Sequence, residues 1–139
     1  MYLLDTCVLV SALTRDQFTG PVVSWLADHA DQPLAVSDWT AVEFMSVIAA
    51  KRRADILSEG AYRDVLAAYR RQSQLLQRLM VGRGQFQLAE QLCRIQKLCL
   101  RSGDALHVAV ALEQEAVLVT TDKALLAANG AFGLRCERP

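Results

Sequence analysis

The chain has 139 residues, 53% of them hydrophobic and 22% charged, enough to bury one core and too few for two, so a single domain over residues 1–139 is expected. No run approaches the roughly 18 apolar residues of a membrane span, and the apolar start lacks a positive leader and is interrupted by Asp5, which points to a cytoplasmic protein. The formal charge is zero, and Cys7, Cys93, Cys99 and Cys136 include no C-x-x-C pair, so reduced structural thiols are favoured over a zinc site.

Tyr2 to Leu4 is a short apolar run ending in Asp5, and Thr6 to Leu13 continues as a helix. Asp5 is either the N-cap of that helix, accepting a hydrogen bond from its first turn, or a functional acid. Pro21 suits a first helical position and opens a short helix over Val22 to Ala30, with His29 at its surface. Leu34 to Val36 reads as a strand, and Ser37 caps a helix from Asp38 to Arg52.

Val42, Phe44, Met45, Val47, Ile48, Ala49 and Ala50 surround most of that helix, so it should be largely buried. Glu43 is the one carboxylate within this apolar body. It needs a cation, a hydrogen-bond network or a raised pKa, or else a salt bridge to an arginine; Thr40, at i−3, offers a hydroxyl on the same face.

The charge is unevenly distributed. Residues 1–50 carry one Arg against six acids, 51–101 carry eleven bases against four acids, and 102–139 carry three bases against five acids. An acidic frame around a basic middle suits a protein that holds a cation beside a polyanion, although from charge alone solvated helix faces are the simpler account. The periodicity from Ser58 to Met80 predicts a long amphipathic helix, or two. Arg70 and Arg71 could follow a nucleic-acid backbone, whereas Tyr62 and Tyr69 at these spacings favour a core or dimer interface. Phe86 to Leu88 reads as a short strand and Ala89 to Leu100 as a helix.

Ser102-Gly103-Asp104 then opens a helix whose apolar spacing runs to Leu112, and Val117 to Thr120 forms a buried strand. Asp122 falls just past the end of that strand, where open α/β sheets bind ligands. Asp104 can reach the same crevice from its helix N-terminus. His107 shares the face of Asp104 and is a conceivable metal ligand, although among Leu106, Val108 and Ala109 a core residue or a support for a ligand is the favoured reading. Lys123 to Ala128 is a brief helix, and Leu134 to Glu137 a last edge strand.

Asp5, Glu43, Asp104 and Asp122 can therefore converge, provided the strands before Asp5 and Asp122 are neighbours. Four carboxylates in one pocket would not all stay ionised without positive charge among them. Hard oxygen ligands suit Mg²⁺ or Mn²⁺, which keep waters and substrate phosphate in their remaining positions, so a metal-dependent phosphodiesterase site is expected. A haloacid-dehalogenase-type phosphatase would need an aspartate where Cys7 stands. A receiver-type signalling domain would need adjacent acids near the first strand.

Leu4-Asp5-Thr6, Glu43 in an early helix, Arg101-Ser102-Gly103-Asp104-Ala105-Leu106-His107 and Val119-Thr120-Thr121-Asp122 resemble the ordered acidic motifs of PIN-domain ribonucleases, particularly VapC-type toxins of toxin-antitoxin pairs. The resemblance runs from residue 2 to about residue 137. It implies an α/β/α sandwich with a mainly parallel sheet, usually a homodimer, that cleaves RNA and is neutralised by a cognate antitoxin protein. It makes Asp5, Glu43, Asp104 and Asp122 the metal-site and catalytic acids, with Thr6 and Thr121 as hydroxyls beside them, and Mg²⁺ as the cofactor with Mn²⁺ as a substitute. Leu125 departs from the pattern, since an aromatic often follows the last acid. The alternative is a catalytically silent PIN-like module that only binds RNA or protein.

Overall fold

Strand β1 (Tyr2–Leu4) lies at the centre of a five-stranded sheet in the order β3-β2-β1-β4-β5. The computed structural model describes residues 1–139. After β1 come α1 (Thr6–Leu13), α2 (Thr19–Asp28), β2 (Leu34–Ser37), α3 (Asp38–Arg53), α4 (Glu59–Ser73), β3 (Gln77–Leu79), α5 (Arg83–Cys93), α6 (Ser102–Glu113), β4 (Val117–Val119), α7 (Lys123–Ala127) and β5 (Arg135–Glu137). Every strand pairing is parallel, with Leu4 opposite Val119 and Leu3 opposite Ala35.

A parallel sheet needs both faces covered, which is why β1, β4 and all of β2 but its last residue are apolar and do not alternate with polar residues, whereas the edge strands β3 and β5 carry polar ones. Leu3, Ala35 and Leu118 face a core shared with α5, α6 and α7, whereas Leu4, Val36 and Val119 face one shared with α1 to α4. The result is the three-layer α/β/α arrangement expected from the chain. Because β2 and β3 extend the sheet on one side of β1 while β4 and β5 extend it on the other, a crevice opens between the ends of β1 and β4. Asp5 follows β1 and Asp122 follows β4, so both stand at this switch point.

Four local expectations change. Helix α2 starts at Thr19, two residues before Pro21. Helix α3 buries only a stripe of Thr40, Phe44 and Ile48 at i, i+4 and i+8, leaving Val42 61% and Met45 42% exposed. Its apolar content therefore overstates its burial, and its outer face is an apolar patch. Leu76, Leu79 and Met80 fit a helical period, yet α4 ends at Ser73 and Gln77–Leu79 forms the edge strand β3, of which only Leu79 is buried. Three residues with one inward side chain carry too little alternation to be distinguished from a helical run. Phe86 to Leu88 belongs to α5, which ends at Cys93, and a single 3-10 turn over Gln96–Leu98 follows.

Candidate metal centre

Asp5 occupies the N-cap position of α1, but its carboxylate makes no capping bond. It is 5% exposed and turned towards the crevice instead. Its Oδ2 accepts from Thr120 Oγ1 at 2.6 Å and from Cys7 Sγ at 2.9 Å, while its Oδ1 lies 3.2 Å from His107 Nε2. Glu43 reaches the same place from α3. Its Oε2 accepts from Thr6 Oγ1 at 2.7 Å and lies 2.7 Å from His107 Nε2. Thr40 does not support it: the Thr40 hydroxyl lies 3.0 Å from Ser37 Oγ in the capping box that starts α3. The hydroxyl beside Glu43 belongs to Thr6.

Asp104, in the first turn of α6, accepts from the Arg101 backbone N–H at 3.1 Å through Oδ2. Asp122 caps α7, its Oδ1 accepting from Ala124 N at 2.6 Å and Leu125 N at 3.2 Å. These bonds fix both acids at helix starts, where backbone N–H groups favour negative charge. Gly103 allows α6 to come this close: a Cβ there would lie 2.6 Å from Glu43 Oε1 and 3.5 Å from the Trp39 ring.

The acids open onto a cavity of about 490 Å³. Its fourteen lining residues include Asp5, Glu43, Asp104 and Asp122, together with Thr6, Cys7, His107 and Thr121. The structure thus brings all four predicted acids to one space. Asp16, a fifth acid, also lines it, from the loop between α1 and α2, where it accepts from Ser11 Oγ and from Phe18 N, each at 2.8 Å. No Lys or Arg lines the cavity, and no residue of the basic segment 51–101 does.

The electrostatics follow from this crowding. Burial pulls the His107 pKa down, but the hydrogen bond to Glu43 and the charges of Asp5, Glu43 and Asp104 outweigh it, and the net shift is upward. Burial pushes Glu43 up, yet hydrogen bonds from His107 and Thr6 leave it below its ordinary value. Asp104 is raised, by burial first, with the Arg101 N–H opposing and the charges of Asp122 and Asp5 adding. Burial and then the Asp5 charge push the Cys7 thiol up to about 12.

Asp5, Glu43 and His107 each place a ligand atom within 4.8 Å of the others, a group able to hold a metal ion. The imidazole, 2% exposed, is the one positively chargeable group among the lining residues. Carboxylate oxygens that converge where no Lys or Arg offsets them fit a divalent cation. Thr120, Cys7, Asp16 and the bridging role of His107 escaped the sequence reading. The available signal was Thr120 inside Val119-Thr120-Thr121-Asp122 and Cys7 directly after Leu4-Asp5-Thr6. Thr121 lines the cavity, but the hydroxyl bonded to Asp5 is that of Thr120.

The PIN domain family model matches residues 2–130. The fold is similar to that of FitAcB from Neisseria gonorrhoeae, at 22% identity and a TM-score of 0.73 over 98% of this chain and 96% of that one. It is similar to VapBC2 from Rickettsia felis bound to a promoter DNA fragment, at 15% identity and a TM-score of 0.74 over 99% of this chain and 98% of that one. It is also similar to VapC20 from Mycobacterium tuberculosis, described as a Sarcin-Ricin loop cleaving toxin, at 19% identity and a TM-score of 0.74 over 93% of this chain and 95% of that one. No curated protein matches the sequence at a significant level. With a match over nearly its whole length and a five-stranded parallel sheet covered by helices, this chain belongs to the PIN domain family.

Proposed function

We propose that this protein is a Mg²⁺-dependent endoribonuclease and the toxin of a type II toxin-antitoxin module, acting in the cytoplasm. The observation that carries the reading is the gathering of Asp5, Glu43, Asp104 and Asp122 around one cavity lined by no Lys or Arg. Asp5 and Asp104 would hold the ion, with Mn²⁺ as a substitute, and Glu43 and Asp122 complete its surroundings directly or through water. When bound, the ion acidifies the attacking water and offsets charge developing on the phosphate. Thr6 holds Glu43 through its hydroxyl, so that Glu43 can orient that water, and Thr121 lines the wall of the cavity. The acids act as ligands and orienting groups, not as nucleophiles.

RNA is the proposed substrate. Since the basic segment lies outside the cavity wall, Arg70 and Arg71 are assigned to phosphates away from the scissile one. The solved structures described as FitAB bound to a DNA fragment, VapBC2 bound to a promoter DNA fragment and a toxin-antitoxin complex from Klebsiella pneumoniae support a protein partner, here a cognate antitoxin. The apolar patch of Val42 and Met45 on α3 supports a homodimer. The test is expression of the chain with and without a neighbouring antitoxin reading frame, followed by mapping of RNA ends. Growth arrest with discrete cuts, relieved by the antitoxin, is expected; unaltered growth and intact RNA would turn the reading towards a silent binding module.

A further inference from the structure

Two side chains outside the acidic set carry matching pairs of hydrogen bonds. Thr120, with no exposed surface just beyond the end of β4, donates from Oγ1 to Asp5 Oδ2 at 2.6 Å and accepts from the Asp122 backbone N–H at 2.9 Å. Cys7, in the first turn of α1, donates from Sγ to the same Oδ2 at 2.9 Å and accepts from the Thr121 N–H at 3.3 Å. A hydroxyl and a thiol each have a single proton, so the carboxylate and the N–H groups fix the direction of every bond. Consecutive N–H groups of the turn after β4 therefore reach one oxygen of Asp5 through two relay atoms. The other oxygen, Oδ1, is left facing His107 Nε2 at 3.2 Å.

We propose that Thr120 and Cys7 are positioning residues that occupy Asp5 Oδ2, so that Asp5 offers Oδ1 alone to a divalent cation, and that tie the turn bearing Asp122 to Asp5. The inference rests on the metal-centre reading and deepens it. Asp122 is linked to Asp5 at one end of this turn and to α7 at the other, through the capping bonds to Ala124 N and Leu125 N. A displacement of the Asp5 carboxylate is thereby passed to Asp122, and the two acids keep a fixed separation. The two relays differ in strength. A short O–H to carboxylate bond is charge-assisted, whereas a thiol is a weak donor, so Thr120 dominates.

The test is calorimetric titration of Mn²⁺ alone into the metal-free wild type and into Thr120→Val, Thr120→Ser, Cys7→Ala and Asp5→Asn, with thermal unfolding of each metal-free protein. Thr120→Val keeps the shape and removes the hydroxyl, and should weaken Mn²⁺ binding by roughly 10–100-fold, as loss of a group that orients a ligand does. Thr120→Ser should restore most of that affinity, and Cys7→Ala should lose less than Thr120→Val. If the hydroxyl only satisfies buried groups, Thr120→Val will unfold earlier yet bind Mn²⁺ as the wild type does, and that result overturns the inference. Should Thr120→Val not fold, Cys7→Ala decides, since it removes a donor from the same oxygen: unchanged affinity overturns the inference, and weakened affinity supports it. A wild type that fails to bind Mn²⁺, or Asp5→Asn that binds it equally well, defeats the metal-centre reading itself.

Discussion

Glu43 Oε2 and His107 Nε2 lie 2.7 Å apart, joining α3, whose Phe44 and Ile48 pack in one core, to α6, which packs in the other. The same ring nitrogen lies 3.2 Å from Asp5 Oδ1, so one imidazole bridges two carboxylates that would otherwise repel. Replacing His107 with Ala leaves those carboxylates near each other without a cation. Loss of one partner from a buried pair costs about 3–5 kcal/mol, and the lower end is expected because Glu43 is only half-buried. Urea unfolding in EDTA measures it. A loss below about 1 kcal/mol, the scale of an exposed pair, would remove the bridge from the account.

The bridge also sets a pH dependence in the metal-free protein. His107 has a folded pKa above 6.5, so its contribution is fully present below 6.5 and is lost as pH rises through the folded value. Glu43 has a folded pKa below 4.5, so its contribution is present above 4.5 and is lost as pH falls through the folded value. The stability difference between wild type and His107→Ala should therefore be greatest between these limits and shrink on the alkaline side. A difference that widens as pH rises would contradict the assignment.

Gly103→Ala tests the closeness of α6 to α3. The new methyl would come within 2.6 Å of Glu43 Oε1, the end of a flexible side chain, so the protein should fold while the carboxylate moves and strains its bonds to Thr6 and His107. Affinity for Mn²⁺ should fall by about tenfold or more, as when a ligand's support is removed. Binding equal to that of the wild type would mean that Glu43 does not need its observed position.

Thiol reactivity provides an independent probe. With its pKa pushed up to about 12, Cys7 holds almost no thiolate near neutral pH, and Cys136, raised to about 11, holds little more. Cys93 and Cys99 are exposed. Iodoacetamide followed by peptide mass spectrometry should find Cys93 and Cys99 modified well before Cys7. Early labelling of Cys7 would mean that its bond to Asp5 is not maintained in solution.

The layered fold was legible because β1, β2 and β4 are unbroken apolar runs and because α1, α3 and α6 carry polar residues at their first positions. Strand β3 was not, since Gln77 and Arg78 at a sheet edge look like one more turn of the preceding amphipathic helix. The four acids stood out because three fall at element boundaries and Glu43 interrupts an apolar helix. Which atoms hold them was hidden. Two partners of Asp5, His107 and Thr120, lie more than a hundred positions away, and only the pairing of β1 with β4 and the packing of α6 bring them within hydrogen-bond distance. Spacing along the chain cannot reveal that Thr120, not Thr121, turns towards Asp5.

The central claim, that these four carboxylates hold a divalent ion used to cut RNA, is tested most directly by incubating the purified protein with RNA in Mg²⁺ and resolving the products by size, beside EDTA-treated protein, Asp5→Asn and Asp104→Asn. Discrete fragments from the wild type alone, with both variants folded by circular dichroism, are the predicted result. Cleavage by either variant at the wild-type rate, or cleavage that survives EDTA, would contradict it.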